Sequence, residues 1–232
     1  MASPLRAPEF ETRNIFHALP IRERVECLVD EVFRSLPNPA DLSVDQQRGI
    51  IARYSAVLEG NFIYWMTATL LSVKSKEARS IIIDNLLEEV RDCHPGMMRR
   101  FALAADSAPS EIDAMAVYRD LTSVRLFLAQ LSAVQSLVTM AFFEGFIQRF
   151  MAYLADLAQR QGSSDMEYTD VHGVCDIGHT EGLFQALEAE MAINPPAPGA
   201  DVFEGVDLLR TLLETIVDAK RPASNAAMAH GN

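Results

Sequence analysis

The chain has 232 residues, of which 49% are hydrophobic, and a formal net charge of −12 at pH 7. A chain of this length can bury one sizeable core, so a single domain is expected. The acidic balance, with no run of Lys or Arg, argues against nucleic acid and against an anionic membrane surface as partners.

The cysteines and the apolar stretches predict a cytoplasmic location. Cys27, Cys93 and Cys175 are odd in number and form no CxxC pair, so a disulfide framework is not indicated. The first residues lack the apolar segment of a secretory signal. Of the two longest apolar stretches, 61–73 is too short to cross a bilayer, and 131–157 is interrupted by polar residues. We therefore expect buried helices and no membrane partner.

In chain order, the first half of the sequence predicts helices only. Residues 1–20 carry three prolines and little periodicity, so an irregular N-terminal arm is expected. An amphipathic helix is predicted for 21–36, ended by Pro37-Asn38-Pro39. Ser43 is the expected N-cap of a long helix toward residue 73, and another helix covers 75–90.

The second half continues this helical pattern. The predicted helices are 97–105, 111–121, 122–159, 166–193 and 201–220. The segment 122–159 is hydrophobic nearly all round, which places it at the centre. The tail, 221–232, is rich in Ala and Ser and is expected to be disordered. The predicted fold class is all-α, one domain over 21–220 with about seven helices.

His172, Asp176 and His179 follow one another at spacings of four and three residues. At about 100° per residue, these offsets place the three side chains within roughly 40° of one helix face. Two imidazoles and a carboxylate are ligand types that suit Fe, Mn or Zn. A solvated polar stripe would have the same composition, so this alternative stays open.

Glu144 lies in the apolar run Phe142-Phe143-Glu144-Gly145-Phe146. An unpaired carboxylate is costly to bury there, so it must keep its proton, meet an Arg or bind a cation. Arg149, five residues on, is poorly aimed at it. A buried metal ion is the interpretation we favour.

The third polar segment is Asp84-Asn85-Leu86-Leu87-Glu88-Glu89, followed by His94 and Pro95. Pro95 disfavours the helical region for His94, so helix-face angles cannot be carried from Glu89 to His94. Taken alone, an acidic helix end is most often solvated surface. Together the three segments supply three carboxylates and three imidazoles, enough for two metal ions. The two Glu-x-x-His pairs of ferritin-like di-iron proteins are not present.

These segments resemble the haem-oxygenase-like di-iron oxidases and oxygenases, including the CADD-like members, whose fold is related to the TenA and PqqC proteins. The resemblance implies a haem-oxygenase-like helical bundle without haem. It also implies six metal ligands, which are Glu89, His94, Glu144, His172, Asp176 and His179. Glu89 stands four residues after Asn85, as in the family's motif, but the choice between Glu88 and Glu89 stays open.

The sequence departs from the family's pattern at one point and from one particular member at another. Only Val90-Arg91-Asp92-Cys93 separate Glu89 from His94, a shorter connection than is usual in the family. Phe143 stands where the member that makes p-aminobenzoate from its own tyrosine has a Tyr, so that self-consuming chemistry is not expected.

The function implied by the resemblance is an O2-using oxidoreductase with two Fe²⁺ ions and an external electron donor. The implied substrate is a small amino-acid-derived molecule of specialised metabolism, oxidised by N-oxygenation or oxidative C–C cleavage. No catalytic residue is assigned beyond the metal ligands. Candidate pocket residues, each with packing or surface as the simpler expectation, are Arg53, Tyr54, Tyr64 and Arg91. A homodimer is an expectation for helical domains with exposed apolar faces.

Two alternatives share this fold: a metal-free TenA-like hydrolase and a cofactor-independent PqqC-like oxidase. The hydrolase would need a nucleophilic Cys in the pocket. Cys175 is expected to point about 100° away from Asp176, and Cys93 adjoins a loop, so both are expected to be inert. A non-catalytic helical interaction protein is a third hypothesis, but it leaves Glu144 unexplained.

Overall fold

A computed structural model describes residues 19–218, in which the chain forms eight α-helices, one 3₁₀ turn and no strand. The helices are α1 (Ile21–Ser35), α2 (Val44–Ser72), α3 (Lys76–Arg91), α4 (His94–Ala104), α5 (Glu111–Leu128), α6 (Ala133–Arg160), α7 (Glu167–Ile193) and α8 (Glu204–Val217), and the 3₁₀ turn is Pro39–Asp41. The predicted all-α class is therefore confirmed. The predicted arm (1–20) lies almost wholly, and the predicted tail (221–232) wholly, outside the described residues. The domain limits of 21–220 stay a prediction.

Helix α6 is the centre of the bundle and packs against α1, α2, α7 and α8. Its aromatic side chains Phe142, Phe143, Phe146 and Phe150 are fully buried, as expected for a helix that is apolar on every side. Trp65 of α2 packs edge-on against Phe143, with ring centroids 5.1 Å apart. No helix within residues 19–218 combines the length and the apolar character needed to cross a bilayer.

Two N-caps, the predicted one at Ser43 and one at Ser110, form complete capping boxes. The hydroxyl of Ser43 accepts a hydrogen bond from the Gln46 amide, and the Gln46 side chain accepts one from the Ser43 N–H. Ser110 and Asp113 make the same reciprocal pair at the start of α5. Each cap satisfies backbone donors that the helix itself leaves open, and contributes about 1 kcal/mol.

The segment 122–159, predicted as mostly one helix, is divided between α5 and α6. The break lies between Leu128 and Ala133, where Leu131 adopts a left-handed conformation with φ of 56°. Neither Gly nor Pro stands in this turn, and the apolar pattern runs through it. The local sequence therefore carries no ordinary signal for the break, because Leu rarely adopts positive φ.

His94 is the first residue of α4, although Pro95 predicted it outside the helical region. The chain breaks one residue earlier, at Cys93, whose φ and ψ of 56° and 45° are left-handed. Pro95 then occupies the first turn, where its missing N–H is not needed. This tight connection makes α4 start close to the end of α3, where Glu89 lies.

Candidate metal centre

The six predicted ligand residues lie together in the interior. Glu89 comes from α3, His94 from α4 and Glu144 from α6, while His172, Asp176 and His179 come from α7. None of the six side chains is more than 10% exposed. The stripe on α7 therefore faces the core, and the alternative of a solvated polar stripe is wrong.

The first cluster consists of Glu89, His94 and His172, whose ligand atoms lie within 4.8 Å of one another. His94 Nδ1 is 2.7 Å from Glu89 Oε1, and His172 Nε2 is 3.9 Å from the same oxygen. The two imidazole rings lie 4.4 Å apart at 64°. Two histidines and one carboxylate are the ligand set of many non-haem Fe(II) sites that leave positions open.

A backbone hydrogen bond orients His172. Its Nδ1–H donates to the carbonyl oxygen of Tyr168 over 2.9 Å, which leaves the lone pair on Nε2, the nitrogen nearer Glu89. Metal-binding histidines are commonly held in this way through their other nitrogen. Burial lowers the pKa of His172, so the neutral, metal-binding form is favoured. Burial alone would also lower the pKa of His94, but the hydrogen bond with Glu89 and the negative charges of Glu89, Asp176 and Asp92 together outweigh burial and raise it.

The second cluster consists of Cys175, Asp176 and His179, whose ligand atoms also lie within 4.8 Å of one another. His179 Nδ1 is 3.5 Å from Asp176 Oδ1, an electrostatic contact rather than an aligned hydrogen bond. On the other side of the ring, Nε2 is 2.9 Å from Glu88 Oε2. Glu88 thus orients the ring with Nδ1 toward the cluster, while Glu89 belongs to the first cluster.

Glu144 lies beside the second cluster, with Oε1 3.8 Å from His179 Nδ1. Burial raises the pKa of Glu144 well above its usual range, and the charges of Asp176 and Glu89 raise it further. The Glu144 carboxylate is therefore repelled by the negative charge of one acidic residue from each cluster, Glu89 in the first and Asp176 in the second. Arg149 does not neutralise it, because that guanidinium pairs with Asp30 of α1 at 2.5 Å.

The unsatisfied atoms of this region fit metal ions. Within residues 19–218, Glu144 Oε1, Asp176 Oδ2 and His179 Nδ1 are buried without a hydrogen-bond partner. Buried polar atoms are nearly always paired, and three buried carboxylates repel one another unless cations lie between them. Two divalent ions would satisfy these atoms and offset the three negative charges. The nitrogen and oxygen ligands suit iron.

A family model described as iron-containing redox enzyme matches residues 52–213, more than half of the chain, and this match includes all six residues. The chain belongs to the haem-oxygenase-like family of iron-containing redox enzymes. The resemblance and the haem-oxygenase-like fold predicted from the sequence are thereby confirmed, and the chain is an oxidoreductase by family. No curated protein matches the sequence significantly.

Two cavities adjoin the clusters of this iron-containing redox enzyme. An apolar pocket of about 20 Å³ touches the first cluster and is lined by Leu58, Phe62, Met98 and Ile147, among others. A larger cleft of about 390 Å³ lies between α3 and α7 and reaches His179. Asn85, only 4% exposed, lies in the wall of this cleft, and neither of its amide atoms finds a partner in the described chain. A cleft of this size admits a small molecule.

Tyr54 approaches the site through Tyr168, which the sequence did not single out as a site residue. The two buried hydroxyls are 3.0 Å apart, and the Tyr168 ring lies 4.3 Å from that of His172. Burial raises the pKa of both phenols, which keeps them protonated. The aromatic pair forms the wall behind His172 and keeps water from that side of the first cluster.

The other three candidate pocket residues have packing or surface roles. The buried guanidinium of Arg53 donates from Nε to the Ile216 carbonyl over 2.9 Å, at the end of α8. Tyr64 lies beneath the guanidinium of Arg125, and Arg91 pairs with its neighbour Asp92 on the surface.

Cys175 does not point away from the cluster, and that expectation is corrected. Its thiol donates to Asp176 Oδ1 over 3.3 Å and lines the cleft. Cys175 is offset by about 100° from Asp176, but it stands four residues before His179 and therefore shares the His179 side of α7. Burial and Asp176 raise the pKa of the thiol, which opposes a role as a nucleophile. Cys93 is exposed.

Proposed function

We propose that the protein is a non-haem di-iron oxidase or oxygenase that uses O2 to oxidise a small amino-acid-derived substrate. The observation that carries this proposal is the pair of adjoining ligand clusters with three unsatisfied buried atoms on Glu144, Asp176 and His179. The cofactors are two Fe²⁺ ions and O2, and an external donor supplies electrons. When bound, the ions supply the reduction of O2, for which no side chain is suited.

The ligands divide between two positions. Glu89, His94 and His172 would hold one ion, and Asp176 and His179 would hold the other. Glu144 would complete the set: its Oε1 lies 3.8 Å from His179 Nδ1, and its carboxylate also feels the charge of Glu89 in the first cluster. Burial raises the pKa of Glu144 in the metal-free protein, and a bound cation would take the place of its proton.

The residues around the two clusters exclude water and orient the histidine rings. The aliphatic, aromatic and thioether side chains of the small pocket exclude water from the first cluster, which strengthens every electrostatic interaction inside it. Tyr168 and Glu88 hold the outer nitrogens of His172 and His179. These bonds fix the rings before any ion arrives, so little reorganisation is needed on binding.

The cleft between α3 and α7 would admit the substrate. Asp84 and Glu88 are carboxylates on its wall that can pair with an ammonium group, and the unsatisfied amide of Asn85 can bond a polar group. These features support an amino-acid-derived substrate. N-oxygenation or oxidative C–C cleavage of such a molecule, in specialised metabolism, completes the proposal.

The deciding experiment is anaerobic loading with Fe²⁺, metal analysis, and rapid mixing with O2 while absorbance is followed. We expect about two irons per chain and a transient visible absorption band in the wild type. Asp176→Asn and His172→Ala should retain clearly less iron and lose the band. The matched control is Asp170→Asn, which alters an exposed carboxylate on the same helix and should behave like wild type.

The contrary result is a folded protein that takes up no iron and shows no band. That result would favour the metal-free hydrolase or the cofactor-independent oxidase. Binding of a single iron, unaffected by Asp176→Asn, would contradict the two-ion centre and leave a mononuclear site at the first cluster.

A further inference from the structure

We infer that Cys175 is a metal ligand of the second cluster, so that the two metal positions differ in chemical character. The inference rests on the proposed function, because it assumes that the second cluster binds an ion. It adds a sulfur ligand to the six nitrogen and oxygen ligands already considered. It also gives a reason why a cysteine stands in the cleft beside Asp176 and His179.

The spacing on α7 brings the three donor atoms together. Cys175 and His179 are four residues apart, and Asp176 and His179 are three apart, so all three reach the same region beside the helix. The sulfur, a carboxylate oxygen of Asp176 and a ring nitrogen of His179 lie within 4.8 Å of one another. Metal–ligand bonds of about 2.0–2.3 Å place the donors of one ion at comparable separations. A small adjustment of side chains would therefore suffice for a common ion.

A second observation independent of the cysteine points to a cation here. Asp176 is only 1% exposed, yet its Oδ2 has no hydrogen-bond partner among residues 19–218. His179 Nδ1 is buried and likewise unsatisfied, while Glu88 holds the opposite ring nitrogen. The Cys175 sulfur lies 3.3 Å from Asp176 Oδ1, so it borders the same group of unsatisfied atoms.

Sulfur ligation would make the two positions unequal. The first cluster offers two imidazoles and a carboxylate, whereas the second would offer a thiolate, a carboxylate and an imidazole. A cation bound there would displace the thiol proton to solvent, and a thiolate ligand favours softer ions such as Co²⁺, Zn²⁺ and Cd²⁺ over Mn²⁺. Softer ions should therefore bind at the second cluster before they bind at the first cluster. Mn²⁺ should prefer the first cluster.

The test is an anaerobic titration of metal-free protein with Co²⁺, followed by near-ultraviolet absorbance. Wild-type protein should develop a thiolate-to-cobalt charge-transfer band. Cys175→Ser should lose the band and bind one Co²⁺ at least about tenfold more weakly. Cys93→Ser is the matched control, because it removes an exposed thiol beside His94, and it should keep the band.

The outcomes separate this inference from the proposed function. Two Co²⁺ per chain without the band, or a band lost in Cys93→Ser instead, would overturn sulfur ligation by Cys175 and leave the two-ion centre intact. One Co²⁺ with a band that depends on Cys175 would support sulfur ligation and contradict the two-ion centre. No Co²⁺ binding would overturn both. If Cys175→Ser folds poorly, a band that persists in both Cys93→Ser and Cys27→Ser still assigns the sulfur to Cys175, because the chain has only these three cysteines.

Discussion

Glu144 and Glu190 are both buried carboxylates, but their surroundings differ. Glu190 is 0% exposed, but its carboxylate accepts hydrogen bonds from the backbone N–H groups of Lys74 and Ser75 and from the Asn194 amide. Glu144 is 1% exposed, and its Oε1 has no partner within residues 19–218. A buried carboxylate that the protein satisfies has a structural role, whereas one left unsatisfied requires a proton or a cation.

The raised pKa of Glu144 gives the metal-free protein a pH dependence of definite sign. Its folded pKa lies above its unfolded pKa, so its ionisation destabilises the fold as pH rises from the unfolded value through the folded one. His94 and His179 also have raised pKa values, so the stability they contribute is lost as pH rises through those values. His172, whose pKa is lowered, acts oppositely and destabilises the fold below its unfolded pKa.

We expect Glu144→Gln to stabilise the metal-free protein at pH 8, because the amide keeps the shape without a buried charge. A gain of about 1–2 kcal/mol would raise Tm by about 2–8 °C, and the gap should widen from pH 5 to pH 8. Thermal unfolding with a chelator present, followed by circular dichroism, measures this. The same variant should lose iron. A Tm gap that is constant across pH, or a lower Tm at pH 8, would contradict an ionising Glu144.

At the scale of elements, the packing of α8 against the centre of the bundle depends on Gly205. A Cβ atom there would lie 2.1 Å from Thr139 Oγ1 of α6 and 2.3 Å from the Phe127 ring of α5. Neither contact can be relieved without shifting a helix, since both neighbours are buried. Gly60 in α2 differs, because a Cβ there meets no described atom within 4 Å.

Gly205→Ala should therefore destabilise the protein by about 1–3 kcal/mol through overpacking. Gly60→Ala is the matched control and should stabilise it by about 0.5–1 kcal/mol, because Ala loses less backbone entropy within a helix. Urea unfolding of the two variants beside wild type measures both values. Equal effects of the same sign would show that α8 does not pack as described.

At the scale of the whole molecule, four helices contribute residues to the proposed metal centre. Glu89 and His172 are more than eighty residues apart in sequence, yet Glu89 Oε1 lies 3.9 Å from His172 Nε2. His94 lies within hydrogen-bonding distance of the same Glu89 oxygen, and its ring contacts that of His172. An ion bound there would link α3, α4, α6 and α7. Binding to the folded state alone raises stability by mass action.

Fe²⁺ should accordingly stabilise the protein under anaerobic conditions. At a free concentration of 100 Kd, one site contributes about 2.7 kcal/mol, which corresponds to a rise in Tm of about 5–11 °C. Thermal unfolding with and without Fe²⁺ measures the shift, and a chelator should reverse it. Asp170→Asn should show the full shift and Asp176→Asn little of it. Equal shifts in both variants would place the bound iron elsewhere.

Local spacing by itself determined the all-α class and most of the helices, the N-cap at Ser43 and the polar stripe of His172, Asp176 and His179. These features follow from the 3.6-residue period and from backbone groups near in sequence, so neighbouring residues suffice to predict them. The apolar run around Glu144 likewise placed a carboxylate inside the protein. Family resemblance, rather than spacing, joined these segments into one set of six ligands.

Only the tertiary structure decided which side chains meet across helices. It placed Glu88 on the outer nitrogen of His179 and Glu89 beside His94, turned the chain at Cys93 and Leu131, and brought Cys175 into the cleft. Such contacts depend on how helices distant in sequence rotate and pack against one another. The 3.6-residue period determines which residues share a helix face, but packing determines what that face meets.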